Sequence, residues 1–300
     1  MKTEYDHKSV LLAEVLQQLI RSKGGTFVDC TLGGAGHARA ILENTEAGGF
    51  LIGIEKDIAA LNAAKIKLKN FSQQILLIKG DFKDLDALLQ DKVESVDGFL
   101  FDLGVSSMQL DIAGRGFSYQ HDAPLDMRMD ASQKLSAYDV VNTYSQADLT
   151  KTIRQYSEEK WASRIAAFIV KVRERQPVET TGRLVEIIKD AIPASARRRG
   201  GHPAKRTFQA LRIEVNDELK ALESALWQTP KWLKSGGRIV VISYHSLEDR
   251  LVKRTFRKLA EEPEPSVKVI TRKPVVPGDK EIEENPRARS AKLRVAEKVN

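Results

Sequence analysis

Thr26-Phe27-Val28-Asp29-Cys30-Thr31-Leu32-Gly33-Gly34-Ala35-Gly36-His37 is the stretch whose reading decides the fold. It reads as a short buried strand that ends in a glycine-rich turn and opens into a helix near Ala38. Three glycines in four positions permit a sharp bend and leave main-chain N–H groups open to a close ligand. The spacing fails the dinucleotide fingerprint, because Arg39 stands where a third glycine is required after Gly34 and Gly36. No Lys-Ser/Thr pair follows, so the turn is not a P-loop either. Alone, it fits a tight strand-to-helix connection equally well, and the neighbouring strands must decide.

Reading outward, Leu12, Val15, Leu16 and Leu19 mark an amphipathic helix on the N-terminal side. On the other side, Phe50 to Ile54 forms a second apolar strand ending at Glu55, 19 residues past Gly36. In a βαβ nucleotide-binding unit an acid at about that distance takes hydrogen bonds from ribose hydroxyls. Ile75 to Ile78 is a third strand, followed by Gly80-Asp81-Phe82, and Val96 to Leu103 a fourth, carrying Asp102 at its end. Strands alternating with helices predict a parallel, doubly wound α/β sheet with ligands at the carboxyl ends of the strands. Gly33 to Gly36, Glu55, Asp81 with Phe82, and Asp102 all fall at those ends.

The character changes at Arg115. A turn-rich, charged stretch through Asp130 precedes helical patterns, with Ile165, Phe168, Ile169 and Val172 on one apolar face and Leu184, Ile187, Ile188 and Ala191 on another. Ser145 and Thr181 are the expected N-caps. The chain thus reads as a core of residues 1–114 and 217–300 interrupted by a helical insertion, 115–216. Phe208 to Leu226 is expected as one long helix. A fifth strand, Arg238 to Ser243, ends in Tyr244-His245-Ser246, and a helix over 247–259 leads to β-like runs at 267–271 and 291–295. The Pro-rich, charged stretch between those runs is expected to be a mobile loop.

The 300 residues are 42% hydrophobic, enough for a sizeable core, and no apolar run approaches the roughly 20 residues that span a bilayer. The start has no secretory pattern, so a cytoplasmic address is expected. Cys30 is the single cysteine and reads as a small buried hydrophobe. Five scattered histidines and one cysteine make no metal-ligand spacing. Net charge is +7, and Arg197, Arg198, Arg199, Lys205 and Arg206 cluster in one run without an acid. Such a run suits RNA phosphates as well as open solvent.

With P-loop, complete dinucleotide fingerprint and hydrolase elbow all missing, the glycine turn and Glu55 fit a nucleoside with a small zwitterionic tail. S-adenosylmethionine is such a molecule: its carboxylate suits the turn's N–H groups, its ribose suits Glu55, and its adenine suits Asp81 and Phe82.

Several longer motifs go further: His7 to Leu12, Asp29 to His37, Asp102 to Ser107, Arg115 to Ser118, Pro124 to Asp130, His202-Pro203 with Arg206 to Ala210, Ser246 to Arg250 and Asn285 to Ser290. Together they resemble the bacterial ribosomal RNA cytosine N4-methyltransferase family (RsmH, also called MraW) over nearly the whole chain. The resemblance implies a class I (Rossmann-like) S-adenosylmethionine-dependent methyltransferase core with a helical inserted domain. It further implies transfer to the exocyclic amine of a decoding-site cytosine in 16S rRNA, within the small ribosomal subunit. Carried over by position, the cofactor residues are Ala35, Gly36, His37, Glu55, Phe82, Asp102 and Gln109. Ala35 and Glu55 depart from the Gly and Asp common in the family. The chemistry needs a polar strand tip beside the methyl group, for which Asp102 is the expected residue, with Ser106 and His245 as neighbours. Three rivals remain at this level: a nicotinamide-dependent oxidoreductase, a non-catalytic RNA-binding module, and a methyltransferase acting on DNA or a small molecule.

Overall fold

A computed structural model of the chain describes residues 9–21, 24–45, 48–106, 109–110, 113–197 and 201–299. Two compact units result: residues 1–104 with 219–300, and residues 105–218.

The first unit is a seven-stranded sheet flanked by helices. Its strands are β1 (Gly25–Asp29), β2 (Gly49–Glu55), β3 (Ile75–Lys79), β4 (Val96–Asp102), β5 (Leu233–Ser243), β6 (Val267–Val269) and β7 (Lys292–Lys298). They lie in the order β3-β2-β1-β4-β5-β7-β6. β1 to β5 run parallel, as the alternating pattern predicts, but β7 is antiparallel to both β5 and β6. The sheet is therefore mixed, because the chain returns after β6 and runs back between β6 and β5. On β4, Phe99 and Phe101 enter one apolar cluster with Val28, Ile239, Val241 and Phe256. Leu100 enters another, with Phe27, Leu51, Val240, Ile242 and Leu293. This alternation, with all three residues fully buried, follows from the two-residue period of a strand covered on both faces.

The covering helices are α1 (Leu12–Leu19), α2 (Gly36–Asn44), α3 (Ile58–Lys67), α4 (Leu85–Leu89), α11 (Glu218–Trp232), α12 (Ser246–Glu261) and α13 (Asp279–Glu284). The stretch expected as a mobile loop after β6 is ordered. It holds α13 and a 3-10 helix, Pro286–Ser290, and it is tied down by a bridge from Val275 to Leu293 and by the Leu11 N–H donating to Glu281.

The second unit is helical: α5 (Ala137–Thr143), α6 (Gln146–Ser157), α7 (Ala162–Arg173), α8 (Thr181–Ala191), α9 (Ala194–Arg197) and α10 (Lys205–Asn216). Their apolar faces form one core with Val140, Ile153, Ile165, Ile169, Leu184, Ile188 and Leu211. Ser145 caps α6 by accepting from the Asp148 N–H. On α8 the cap is Thr180 rather than Thr181; Thr181 is buried, takes the Ala123 N–H and donates to the His121 carbonyl. The expected single helix over 208–226 is broken at Asp217, whose φ of 51° ends α10 before α11 begins. The loop before α5 is held by Arg115, which donates to the carbonyls of Arg128 and Met129, and by Asn216, which bonds Met127 and Met129.

Candidate functional site

The carboxyl ends of the parallel strands carry the polar groups of the first unit. β1 runs into Cys30 and Thr31, and the turn reaches α2 through Gly33 at φ 46° and Ala35 at φ 56°. Ala35 is fully buried in this left-handed conformation, which costs a non-glycine residue roughly 1 kcal/mol. A side chain at Gly34 would meet nothing within 4 Å, so the turn leaves open space there. At Gly36 a Cβ would lie 2.2 Å from the Ser9 hydroxyl, which would have to turn away to admit it.

Beneath the turn lies a connected polar network. Asp29 is buried and its Oδ1 accepts the Thr31 N–H at 3.0 Å. The Thr31 hydroxyl accepts the Asp102 N–H at 2.6 Å, tying the end of β4 to the loop after β1. Asp102 then receives two further groups: the Tyr244 hydroxyl donates to Oδ1 at 2.7 Å, and His37 Nδ1 lies 3.5 Å from Oδ2. On its other side, His37 Nε2 is 3.0 Å from the Val10 carbonyl. Asp102 keeps 27% of its side chain exposed, so the carboxylate is positioned without being covered.

Burial and mutual repulsion perturb these groups. Burial, above all, pushes the Asp29 carboxyl up to about 6; His37 and the Thr31 N–H oppose the rise, while Asp102 and Glu55 add to it. For His37, burial disfavours the cation, but the hydrogen bond and charge of Asp102, with Asp29 and the Val10 carbonyl, outweigh it and raise the imidazole above its ordinary value. Burial and Asp102 hold the Tyr244 phenol well above its usual range, so it stays a donor. Burial likewise raises the Cys30 thiol, which is an inert packing group.

At the tip of β2, Glu55 is turned toward the glycine loop. Its Oε2 accepts the Gly33 N–H at 2.8 Å and its Oε1 the Asp57 N–H at 2.8 Å. The Gly33 N–H, expected to face a ligand, is thus already occupied by Glu55. Burial raises the Glu55 carboxyl despite these two bonds. At the tip of β3, Asp81 caps a 3-10 turn through the Lys83 N–H and lies 3.5 Å from Lys56 Nζ. Phe82 packs edge-on against Phe101 with centroids 5.7 Å apart.

The remaining expected residues have partners of their own. His245 caps α12: its Nδ1 accepts the Glu248 N–H, and Glu248 Oε2 accepts the His245 and Tyr244 N–H groups in return. It serves as the helix cap. Ser106 and Gln109 belong to the helical unit, where the Ser106 N–H donates to Gln109 Oε1 and the Gln109 N–H to Ser106 Oγ. Arg197 and Lys205 are exposed, Arg206 lies 3.7 Å from Glu159, and Arg198 and Arg199 lie outside the described residues. Residue-by-residue reading missed Asp29, Thr31 and Tyr244. Each stands at or just past a strand end, which was signal enough to include them.

Polar tips, an open turn and the acid ending β2 gather at the strand ends, and comparison with known proteins says what kind of protein carries them. A model of the MraW methylase family matches residues 4–299. The chain belongs to that family. It is a methyltransferase that uses S-adenosylmethionine, built on the class I methyltransferase fold. Among solved structures, an rRNA methylase from Streptococcus thermophilus aligns at 12% identity, covering 96% of this chain and 94% of that one, with a TM-score of 0.42. The N-methyltransferase NodS from Bradyrhizobium japonicum aligns at 9% identity over 96% and 94%, with a TM-score of 0.45.

The methylase's own residues fit this cofactor. The turn leaves open space at the exposed Gly34, and Asp102 and Glu55 bring enough negative charge near Asp29 to help raise its carboxyl. A sulfonium cation is the kind of group such a cluster accommodates.

Proposed function

We propose that the enzyme transfers a methyl group to the N4 amine of a decoding-site cytosine in 16S rRNA, with the small ribosomal subunit as its partner and a cytoplasmic place of work. The observation that carries this reading is the Asp102 carboxylate, fixed by Tyr244 and His37 at the end of β4 yet still partly open to solvent.

An exocyclic cytosine amine is a weak nucleophile because its lone pair is delocalised into the ring. It gains reactivity when an acceptor takes hydrogen bonds from its protons and lets nitrogen become tetrahedral. Asp102 supplies that acceptor, and its Tyr244 and His37 partners hold it in one orientation at no further entropic cost during reaction. S-adenosylmethionine supplies the electrophilic methyl. In this reading Gly34, Ala35, Gly36 and His37 flank its methionine end, Glu55 its ribose, and Asp81 with Phe82 its adenine. The family resemblance assigns Gln109 to the same cofactor, and the need for polar groups beside the methyl assigns Ser106 to the reaction. The basic residues Arg197, Lys205 and Arg206 of the helical unit meet RNA phosphates. The assignment of residues 115–216 as the substrate-recognition domain belongs to the same proposal.

The test is incubation of the protein with methyl-labelled cofactor and small subunits lacking the modification. Label retained in the RNA supports the reading. Label found only in DNA or a small molecule, or none with any ribosomal substrate, overturns it.

A further inference from the structure

In the helical unit, one arrangement is left unexplained by packing. The Tyr119 ring lies flat against the His202 imidazole, with centroids 4.5 Å apart and planes 13° from parallel. Tyr119 also meets Phe208 edge-on at 5.7 Å, which anchors it to the core of the unit. Both rings of the stack are only half-buried, so each keeps surface open to solvent. His202 is not part of the apolar core, and its Nδ1 accepts the Ala204 N–H at 3.3 Å, which fixes the ring and leaves the proton on Nε2.

Several cations stand near this stack in the chain. Lys189 is close enough for its charge to act on His202, and Lys205 stands three residues further along at the start of α10. Arg197 ends α9 on the other side of the same basic run. Among the described residues, Lys189, Arg197 and Lys205 make no ion pair. Burial, assisted by Lys189, lowers the His202 pKa, so the imidazole is a neutral aromatic surface near pH 7.

We propose that the Tyr119–His202 stack receives an unstacked nucleobase of the RNA substrate, with Lys189 and Lys205 meeting the phosphates beside it. A fixed pair of half-buried flat rings bordered by cations that make no ion pair is what single-stranded RNA binds: the base extends the stack and the backbone follows the charge. The inference rests on the RNA reading above and adds a place where a base, not only a phosphate, is held.

Binding of a cytosine-containing single-stranded RNA, measured by fluorescence anisotropy, tests it with His202→Ala, Tyr119→Ala, His202→Phe and Tyr119→Phe. Loss of one base stack weakens binding by roughly 5- to 100-fold. The alanine variants should lose affinity by that order, the phenylalanine variants should keep most of it, and on a ribose-phosphate strand without bases all should bind like wild type. Thermal melting separates loss of affinity from loss of fold, and His202→Ala, outside the apolar core, is the variant expected to stay folded. Wild-type affinity in His202→Ala overturns the stack alone. An equal loss on the base-free strand replaces it with a phosphate contact. Wild-type protein that binds no RNA overturns the RNA reading and the stack together.

Discussion

Replacing Asp29 with asparagine tests how the network under the glycine turn is charged. Burial raises the Asp29 carboxyl from 3.8 to about 6, so the folded state binds its proton more tightly than the unfolded chain does. A raised carboxyl favours the fold below its unfolded value, and that contribution is lost as pH climbs through the folded value. Between pH 4 and pH 7 the wild-type protein should therefore lose about 2–3 kcal/mol from this one group, at about 1.4 kcal/mol per pKa unit. The asparagine side chain carries no charge at any of these pH values, and its amide oxygen can still take the Thr31 N–H that Asp29 takes now. The difference in stability between the two proteins should thus move in favour of the variant by about 2–3 kcal/mol across that window. Denaturant unfolding of both proteins at pH 4, 5, 6 and 7 measures it. A difference that stays constant with pH would refute the account of a carboxylate held charged against its surroundings. Because Asp29 also helps to raise His37, the variant's imidazole should titrate lower, which proton NMR of the ring can follow.

Tyr244→Phe removes the hydroxyl that donates to Asp102 and leaves a charged acceptor unmatched. A bond to a charged group contributes roughly 1.5–3 kcal/mol, so kcat should fall about 10- to 150-fold while cofactor affinity changes little; an unchanged kcat would remove Tyr244 from its positioning role. Gly34→Ala should leave thermal stability close to wild type, because its methyl meets open space, yet weaken cofactor binding measured by calorimetry. Gly116→Ala should do the opposite: its φ is 70° and a Cβ would lie 2.3 Å from the Pro124 carbonyl, so a loss of more than about 2 kcal/mol is expected on unfolding. His245→Ala should cost about 1 kcal/mol as a lost helix cap, and His245→Asn should restore it.

Much of the sheet could be read from the chain because its strands are short apolar runs closed by polar tips, as at Glu55 and Asp102. The direction of β7 could not, since period-two patterning is the same for parallel and antiparallel neighbours. The break at Asp217 was hidden by continuous helical periodicity through Leu226, and only its left-handed φ reveals it. The stretch after β6 looked mobile by composition, yet single contacts such as Leu11 to Glu281 order it, and no local pattern announces a partner 270 residues away. At the site, residue types at strand tips were visible, whereas their partners were not. Glu55 bonding Gly33 follows from side-chain direction, which spacing alone does not determine, whereas the spacing of His245 and Glu248 did point to the cap they form.

The central claim is that the methyl group goes to a cytosine N4. Digesting the small-subunit RNA after reaction and resolving its nucleosides by mass spectrometry measures this directly. The account predicts a methylcytidine whose added mass resides on the exocyclic amine, present with wild-type protein and strongly reduced with Asp102→Ala. A methyl group on a ring carbon, on the ribose or on another base would contradict it.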